Sequence, residues 1–346
     1  MARSHLTLAA LATSAVPGLD IVRTAPYSSG QHGDYDSALL EDRAGRRLIV
    51  RVPRTKSAED EQTADLVALR SLSTGVRSRL PFRVATWLGE APIAPTRAYV
   101  YEFLPGSPVQ LDDIAPGDGL AASIGRAVAA IHSLPTAFVG DAGLPVLSAA
   151  DAQRAAGGLL DRAAGTSLVP TALLRRWENA LNDTSLWQFQ PAVVHGSLQS
   201  TSFLAEGDAV TAILGWSELR VGDPARDLNW VLGARRAHVA ESVFDAYNAA
   251  RQVTVDRQLR QRALLYAELE IARWLLHGTD RHDRAVIDDA VSMLGGLADS
   301  VGDESSASLS HQTLPAMDVD QVERMLASRR SPAESSHGER RSSPSE

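Results

Sequence analysis

Two stretches of the sequence hold residues that could do chemistry, and each follows an apolar run that is typical of a strand. The first run ends at His195 and Gly196, followed by Ser197, and the second ends at Gly215 and Trp216. If both strand ends face one cleft, metal-assisted chemistry there needs side-chain oxygens as metal ligands and a positioned base. Ser197 cannot take up a proton near neutral pH, and Gly215 has no side-chain oxygen for magnesium.

The elements before these strand ends read as a small antiparallel sheet and a helix. "SALLED" and "RRLIVRVP" are extended runs with Gly45 at the turn between them. "AEDEQTADLVALRSL" has leucines at helical spacing, and "RAYVYEFLPG" is a strand that breaks at Pro105-Gly106. We expect that break to be a hinge between two parts of the chain.

The sequence after the hinge is mainly helical. The predicted helices are "GLAASIGRAVAAIHSLP", "LLRRWENALND" and "RALLYAELEIARWLLHG", the last of them ending at Gly278. The strand-turn-strand of residues 193–216 lies between them. This order predicts an α+β protein with two unequal lobes.

Several segments together resemble the aminoglycoside and macrolide phosphotransferase family, and most of all its macrolide 2′-phosphotransferase branch. The likeness covers roughly residues 5–300. It is carried by "RRLIVRVPR" (46–54), "RLPFRVATW" (79–87), "AVAAIHSLP" (127–135), "LLRRWENALND" (173–183) and "GWSELRVGDPARDL" (215–228). The resemblance implies a two-lobed, protein-kinase-like α+β fold, with a small antiparallel-sheet N-terminal lobe and a larger helical C-terminal lobe.

The same resemblance implies that the catalytic motif is degenerate. The family's catalytic aspartate falls on Ser197, its metal-ligand Asn or His on Ser202, and its metal-binding aspartate on Gly215. Framework positions match the family motif: His195, Gly196, Trp216, Asp223 and Asp227. The resemblance makes His195 a structural brace and Asp227 the anchor of the catalytic loop. Asp223 before Pro224 is also a typical N-cap with a first-turn proline.

The resemblance also implies a nucleotide-binding side. Arg51 takes the place of the strand residue that touches the phosphates, and Asp65 is its carboxylate partner, with Glu61 one helical turn earlier as a substitute. A surface ion pair of little energetic value is the alternative. The backbone that faces the base would come from Tyr101, Glu102 and Phe103. ATP or GTP is therefore an expected ligand, whereas Mg²⁺ is not expected and no metal site is assigned.

The preferred function is a family member that has lost phosphoryl transfer and still binds a nucleotide or small molecule. An active small-molecule kinase of the antibiotic type, using ATP or GTP, is one alternative and needs relocated catalytic groups. The nearest carboxylates are Glu206, Asp208 and Glu218. Glu206 and Asp208 fall in a hairpin turn that should point away from the cleft, and Glu218 is preferred as a surface or ion-pair residue. An interaction module that binds no nucleotide is the other alternative.

The expected organisation is an N-terminal lobe over residues 1–103, a helical lobe over 104–302 and a tail over 303–346. The tail is rich in Ser, Pro, Glu and Arg, which predicts disorder. "DVDQVERMLASRR" within it could form a short helix that docks a protein partner.

Composition excludes several classes of protein. The net charge of −8 argues against nucleic acid, and no apolar run approaches a membrane span of roughly 20 residues. The chain has no cysteine, which removes disulfides and thiolate metal sites and suits a reducing compartment. We therefore expect a cytoplasmic protein. The first 20 residues have the outline of a secretory signal, but a folded helix over about Leu6–Val16 is preferred.

Overall fold

Five antiparallel strands form the N-terminal sheet, in the order β1-β2-β3-β6-β5. The computed structural model describes residues 3–27, 34–251 and 256–302. The strands are β1 (Ile21–Pro26), β2 (Tyr35–Asp42), β3 (Arg47–Pro53), β5 (Trp87–Ile93) and β6 (Thr96–Glu102). The predicted turn at Gly45 joins β2 to β3 with a left-handed φ of 77°.

One face of this sheet is covered by helix α1 (His5–Ala15). Alternate residues of β2 are buried, as a period of two requires when one face meets a core. Leu40 and Val50 from the strands pack there with Leu8 and Ala12 of the helix, and all four are at most 1% exposed. The N-terminal residues from His5 onward therefore build this core, as the helix interpretation expects.

The helical part contains most of the remaining elements. They are α2 (Lys56–Ser71), α3 (Thr74–Arg77), α4 (Leu120–His132), α5 (Ala137–Asp141), α6 (Ala149–Gly165), α7 (Thr171–Asn182), α8 (Val239–Ala250), α9 (Leu259–Arg281) and α10 (Arg284–Gly302). The short strands outside the N-terminal sheet are β4 (Arg83–Val84), β7 (Ser107–Pro108), β8 (Ala192–Val194), β9 (Phe203–Glu206), β10 (Ala209–Ile213) and β11 (Arg220–Gly222). The prediction of an antiparallel sheet followed by a helical region is confirmed.

Helix α2 connects the two parts, because its buried face does not belong to the N-terminal core. Thr55 caps the helix by accepting from the N–H of Ala58. Leu66 and Leu69 then pack in the same core as Trp216 and the C-terminal helices. Strand β4 likewise pairs in parallel with β10. The division after residue 103 thus remains a prediction, with elements before it packed into the second core.

The prediction that Gly278 ends a helix is wrong. Helix α9 continues to Arg281, and His282 takes the left-handed conformation at its end with φ 57°. Gly278 instead allows α10 to approach, since a Cβ there would lie 2.9 Å from Val286 and 3.0 Å from Ile287. The glycine is therefore a packing residue within the helix. None of the helices in the described ranges is long and apolar enough to cross a membrane. The suggested tail helix lies outside these residues.

Candidate functional site

Asp227 holds the backbone of the loop that follows β8. Its carboxylate accepts from the N–H groups of His195 and Gly196, each at 2.7 Å. His132 Nε2 lies 3.1 Å from the same carboxylate, and its Nδ1 lies 2.9 Å from the hydroxyl of Tyr247. Burial alone would raise the pKa of Asp227, but His132 and these N–H groups bring it below its usual value. The anchor is therefore ionised at neutral pH.

His195 braces this loop against the end of the next strand. Its Nε2 lies 3.0 Å from the carbonyl oxygen of Leu214, and its ring is tilted against Trp216 with centroids 4.7 Å apart. Burial lowers the pKa of His195, so the ring is neutral and its Nε2–H donates to that carbonyl. The Nδ1 atom is buried without a hydrogen-bond partner in the described part of the chain. These contacts are those of a positioning residue.

Gly196 is required by the close approach of the segment after Trp216. Its φ is 90°, and a Cβ would lie under 3.0 Å from the carbonyl oxygen of Glu218 and 2.9 Å from Nη2 of Arg220. The backbone therefore turns sharply here and presents Ser197 at the surface. At the position where the family motif predicts a catalytic aspartate, the loop offers a hydroxyl.

The other two degenerate positions lie at the end of the β9–β10 hairpin that faces this loop. Phe203 pairs with Ile213, and the N–H of Leu214 donates to the carbonyl of Ser202 at 2.9 Å. Gly215 follows directly, in the left-handed conformation with φ 79° and ψ 56°. Because His195 bonds to Leu214, the structure brings Ser197, Ser202 and Gly215 around one strand end.

These side chains do not fit the magnesium site that the family motif implies. The Ser202 hydroxyl already accepts from the N–H of Gln199 at 3.2 Å, and Ser197 and Gly215 supply no carboxylate. The nearest candidate, Glu218, is ion-paired to Arg220 at 2.6 Å. In the ranges that the structure describes, no group of three or more His, Cys, Asp or Glu residues could hold a metal ion.

Two further carboxylates lie at the opposite end of the hairpin. Glu206 ends β9, and Asp208 is in the turn before β10. The Asp208 carboxylate packs beside Gly119 at the start of α4, where a Cβ would lie 3.1 Å from it. Neither can take the place of the residues at the Ser202 end.

Asp65 reaches from α2 to the strand end. Its carboxylate accepts from the backbone N–H of Trp216 at 2.7 Å. Burial raises the pKa of Asp65 from 3.8 to about 6, although the Trp216 N–H and the charge of Arg51 act in the opposite direction. The predicted partner of Arg51 is thus also a direct contact of the segment that follows Gly215.

Arg51 lies on the sheet beside this helix. Its guanidinium stacks over the ring of Tyr35, 3.9 Å from the centroid. The Tyr35 hydroxyl in turn donates to the carbonyl of Ala58 at 2.9 Å and to Glu61 at 3.3 Å. Burial raises the pKa of Tyr35 well above its usual value. The predicted phosphate-binding arginine is therefore held by a β2 aromatic ring whose hydroxyl is fixed to α2.

The backbone predicted to face a base is partly used within the protein. The N–H of Glu102 donates to the backbone carbonyl of Thr86 at 2.9 Å, and the N–H of Phe103 donates to the backbone carbonyl of Arg47 at 3.0 Å. The Arg47 guanidinium also stacks on the Phe103 ring, 3.8 Å from its centroid. Tyr101 directs its hydroxyl toward Gln62 on α2. These two N–H groups cannot recognise a base without leaving their present acceptors.

A sequence profile of APH, described as the phosphotransferase enzyme family, matches residues 25–266 of the 346. The chain belongs to this phosphotransferase family. The predicted family resemblance is thereby confirmed.

Other members of the phosphotransferase family share its fold. The macrolide 2′-phosphotransferase MphH from Brachybacterium faecium, as apoenzyme, is 23% identical, covering 84% of this chain and 98% of its own, with a TM-score of 0.70. A GDP complex of an aminoglycoside 2′-phosphotransferase-IIIa is 16% identical, covering 86% and 100% of the two chains, with a TM-score of 0.69. These similarities confirm the two-lobed kinase-like fold.

A curated relative carries no assigned activity. The uncharacterized protein YcbJ of Bacillus subtilis (strain 168) is 23% identical over an alignment of 207 residues that covers 56% of this chain. The match spans 65% of that relative's length.

Asp223 does more in this phosphotransferase-family chain than the predicted N-cap. It accepts from the N–H of Ala225 at 3.0 Å, as the Asp-Pro pattern indicates. It also forms a two-pronged ion pair with the buried Arg262, at 2.8 and 3.1 Å, and accepts from Tyr266 at 3.0 Å. Arg262 was not predicted, because a single arginine inside an amphipathic helix has no sequence signal for burial.

Three arginines near the loop that follows β8 were likewise not predicted from the sequence. They are Arg220 on β11, Arg226 in the turn after Pro224, and Arg273 on α9. Arg226 lies within the GDPARDL motif, but its spacing to the other two gave no sign that they meet.

Proposed function

We propose that this phosphotransferase-family protein has lost phosphoryl transfer and retains weak, metal-independent binding of a nucleotide or small molecule in a cytoplasmic setting. The observation that carries the proposal is the convergence of Ser197, Ser202 and Gly215 around one strand end. A positioned base contributes roughly 10²–10⁴-fold to such a reaction. Metal neutralisation of phosphate charge contributes several kcal/mol more.

The contacts of Glu218 argue against relocated chemistry. Its carboxylate bonds to Arg220 at 2.6 Å while 53% of its side chain remains exposed. A general base must lie within hydrogen-bond reach of the proton that it removes, whereas this carboxylate is already occupied by Arg220. The alternative of an active kinase with relocated groups therefore has no candidate base with suitable surroundings among the described residues.

Retained binding is supported by the nucleotide side of the cleft. Arg51 keeps its position over Tyr35, with its charge acting on Asp65. Similar structures are complexes with GDP, ADP and ATP, and with kanamycin and streptomycin. The internal use of the N–H groups of Glu102 and Phe103 favours weak binding. An interaction module without nucleotide binding would leave Arg51 without this role.

Two measurements on the full chain test the proposal. Incubation with ATP or GTP, magnesium and a macrolide or aminoglycoside should give no phosphorylated drug, with an active family enzyme as positive control. Calorimetry with ATP and GTP should give weak binding that changes less than about twofold when magnesium is omitted. Steady drug phosphorylation, or binding seen only with magnesium, would overturn the proposal.

A further inference from the structure

A cluster of three arginines lies beside the catalytic loop: Arg220, Arg226 and Arg273. Two glutamates form ion pairs with its members. Arg220 pairs with Glu218 at 2.6 Å. Glu270 serves both others, at 3.3 Å from Arg273 and 3.9 Å from Arg226. The last distance is too long for a good hydrogen bond. Arg226 is therefore held by charge and by the ring of Tyr266, 5.2 Å from its centroid.

The donors of this cluster are incompletely satisfied. The Nε atoms of Arg220 and Arg226 are buried and have no hydrogen-bond acceptor within the described residues. A buried donor without an acceptor costs about 1–3 kcal/mol, and more when it is charged. Such a group in a folded protein requires an explanation, commonly an ordered water or a bound ion.

The three cations also repel one another. Burial lowers the pKa of Arg220 and of Arg273, and the charge of Arg226 lowers both further. The other nearby carboxylate, Asp227, already accepts from two backbone N–H groups and faces His132. An additional negative group here would reduce the repulsion among the three guanidinium groups, which the existing carboxylates do not fully neutralise.

The cluster lies next to the reacting part of the family's cleft. A Cβ on Gly196 would lie 2.9 Å from Nη2 and 3.0 Å from Nε of Arg220, so this guanidinium covers the loop just before Ser197. Arg273 is the most exposed of the three arginines, with 42% of its side chain accessible to solvent. Arg273 also lines an open groove of about 630 Å³ between α6 and α9.

We propose that Arg220, Arg226 and Arg273 form an oxyanion-binding site that takes a phosphate or carboxylate group beside the Ser197 loop. Guanidinium groups suit this task because their planar donors match the oxygens of phosphate and carboxylate. The oxyanion belongs either to a nucleotide's phosphates or to an acidic small molecule. The site does not depend on the loss of transfer, since it concerns arginines that no step of the proposed function uses.

The test is calorimetric titration of the full chain with inorganic phosphate and with pyrophosphate at constant ionic strength. We expect binding by the unaltered chain and a loss of about tenfold or more in Arg226→Gln and in Arg273→Gln. Arg273→Gln is the variant least able to disturb folding, because Arg273 is the most exposed of the three. Arg97→Gln is the matched control, since it removes an exposed arginine that pairs with Glu90 at 2.7 Å.

ADP distinguishes the two sources of the oxyanion. If ADP binding falls by the same factor as phosphate binding in Arg273→Gln, the site holds nucleotide phosphates. If phosphate binding falls and ADP binding does not, the site holds an acidic small molecule. No phosphate or pyrophosphate binding by the unaltered chain, or equal binding by folded Arg273→Gln and Arg97→Gln, overturns the proposal. Because the phosphate and pyrophosphate titrations need no nucleotide or drug, their result is independent of the transfer assay.

Discussion

The carboxylate of Asp65 and the backbone N–H of Trp216 form a 2.7 Å hydrogen bond that connects helix α2 to the segment after Gly215. In an active site of this kind, that segment would start with a metal-binding aspartate. Here the connection forms although the preceding residue, Gly215, has no side chain. The bond keeps the strand end in place, while burial, acting against the bond, raises the pKa of Asp65 to about 6.

Stability should depend on pH through Asp65. Its pKa rises from 3.8 to about 6 on folding, so its favourable contribution is complete below 3.8 and is lost as pH rises through about 6. Asp65→Asn keeps an acceptor for Trp216 but does not titrate. From about pH 4 to about pH 8 its stability should therefore increase relative to the unaltered chain, by at most about 3 kcal/mol. Urea unfolding measures this, with the exposed Asp161→Asn as the control variant.

Asp227→Asn should be strongly destabilising. Its carboxylate bonds two N–H groups and faces a histidine, all in a buried setting. The asparagine amide keeps one accepting oxygen and replaces the other with an NH2 group that would face hydrogen-bond donors. We therefore expect a loss of about 3–5 kcal/mol in the free energy of unfolding. The matched change Asp20→Asn breaks an exposed ion pair with Arg43 and should cost less than about 1 kcal/mol. Equal losses in both variants would contradict the anchoring role.

The two glycines Gly278 and Gly158 should respond oppositely to alanine. In Gly278→Ala the new Cβ meets α10 at 2.9 Å, and we expect a loss of about 1–3 kcal/mol. Gly158 lies within α6 with nothing within 4 Å of a Cβ, so Gly158→Ala should gain about 0.5–1 kcal/mol. Thermal unfolding of both variants decides, and a neutral Gly278→Ala would argue against close helix packing.

Nucleotide affinity should depend on Arg51 and not on magnesium. Charge-assisted hydrogen bonds to phosphate are worth about 1.5–3 kcal/mol, so Arg51→Gln should weaken ATP or GTP binding about tenfold or more. Arg54→Gln, three residues on and paired with Asp36 at 3.8 Å, is the control and should bind as before. Calorimetry on folded variants makes the comparison. Unchanged binding by Arg51→Gln would favour the interaction-module alternative.

A magnesium site should be recoverable by Ser197→Asp, Ser202→Asn and Gly215→Asp together. A Cβ at position 215 would meet nothing within 4 Å, although its φ of 79° puts some strain on a side chain. We expect nucleotide binding to become magnesium-dependent before any turnover appears, because turnover also requires a positioned acceptor. The variant that keeps Gly215 is the control. No metal dependence in a folded triple variant would indicate that the cleft has also changed shape.

Local sequence patterns were sufficient for much of the fold. Strand β2 has a period of two and helix α2 has leucines at helical spacing. Each pattern indicates that one face of the element is buried, so both elements could be predicted. Helix α6 was not singled out, because "AADAQRAAGGLLDRAAG" is rich in alanine and glycine and has few large apolar residues to show a face. The end of α9 was misjudged because a packing glycine and a terminating glycine look alike in sequence.

The site was predictable only where a motif covers it. The short GDPARDL motif contains both Asp223 and Asp227 and was sufficient to predict them. Their partners come from distant helices. Arg262 lies 39 residues from Asp223, and His132 lies 95 residues from Asp227. Long-range pairing of this kind depends on how helices pack, which no local spacing records. The arginine cluster was missed for the same reason.

The Asp227 anchor has an evolutionary consequence. Because its carboxylate accepts hydrogen bonds from main-chain N–H groups, the path of the loop is specified without any contribution from the side chain at position 197. Mutation at that exposed position therefore meets little structural resistance in either direction. A lineage with this architecture can abandon a reaction, keep its folded cleft for another ligand, and regain an acidic group there without first rebuilding the protein.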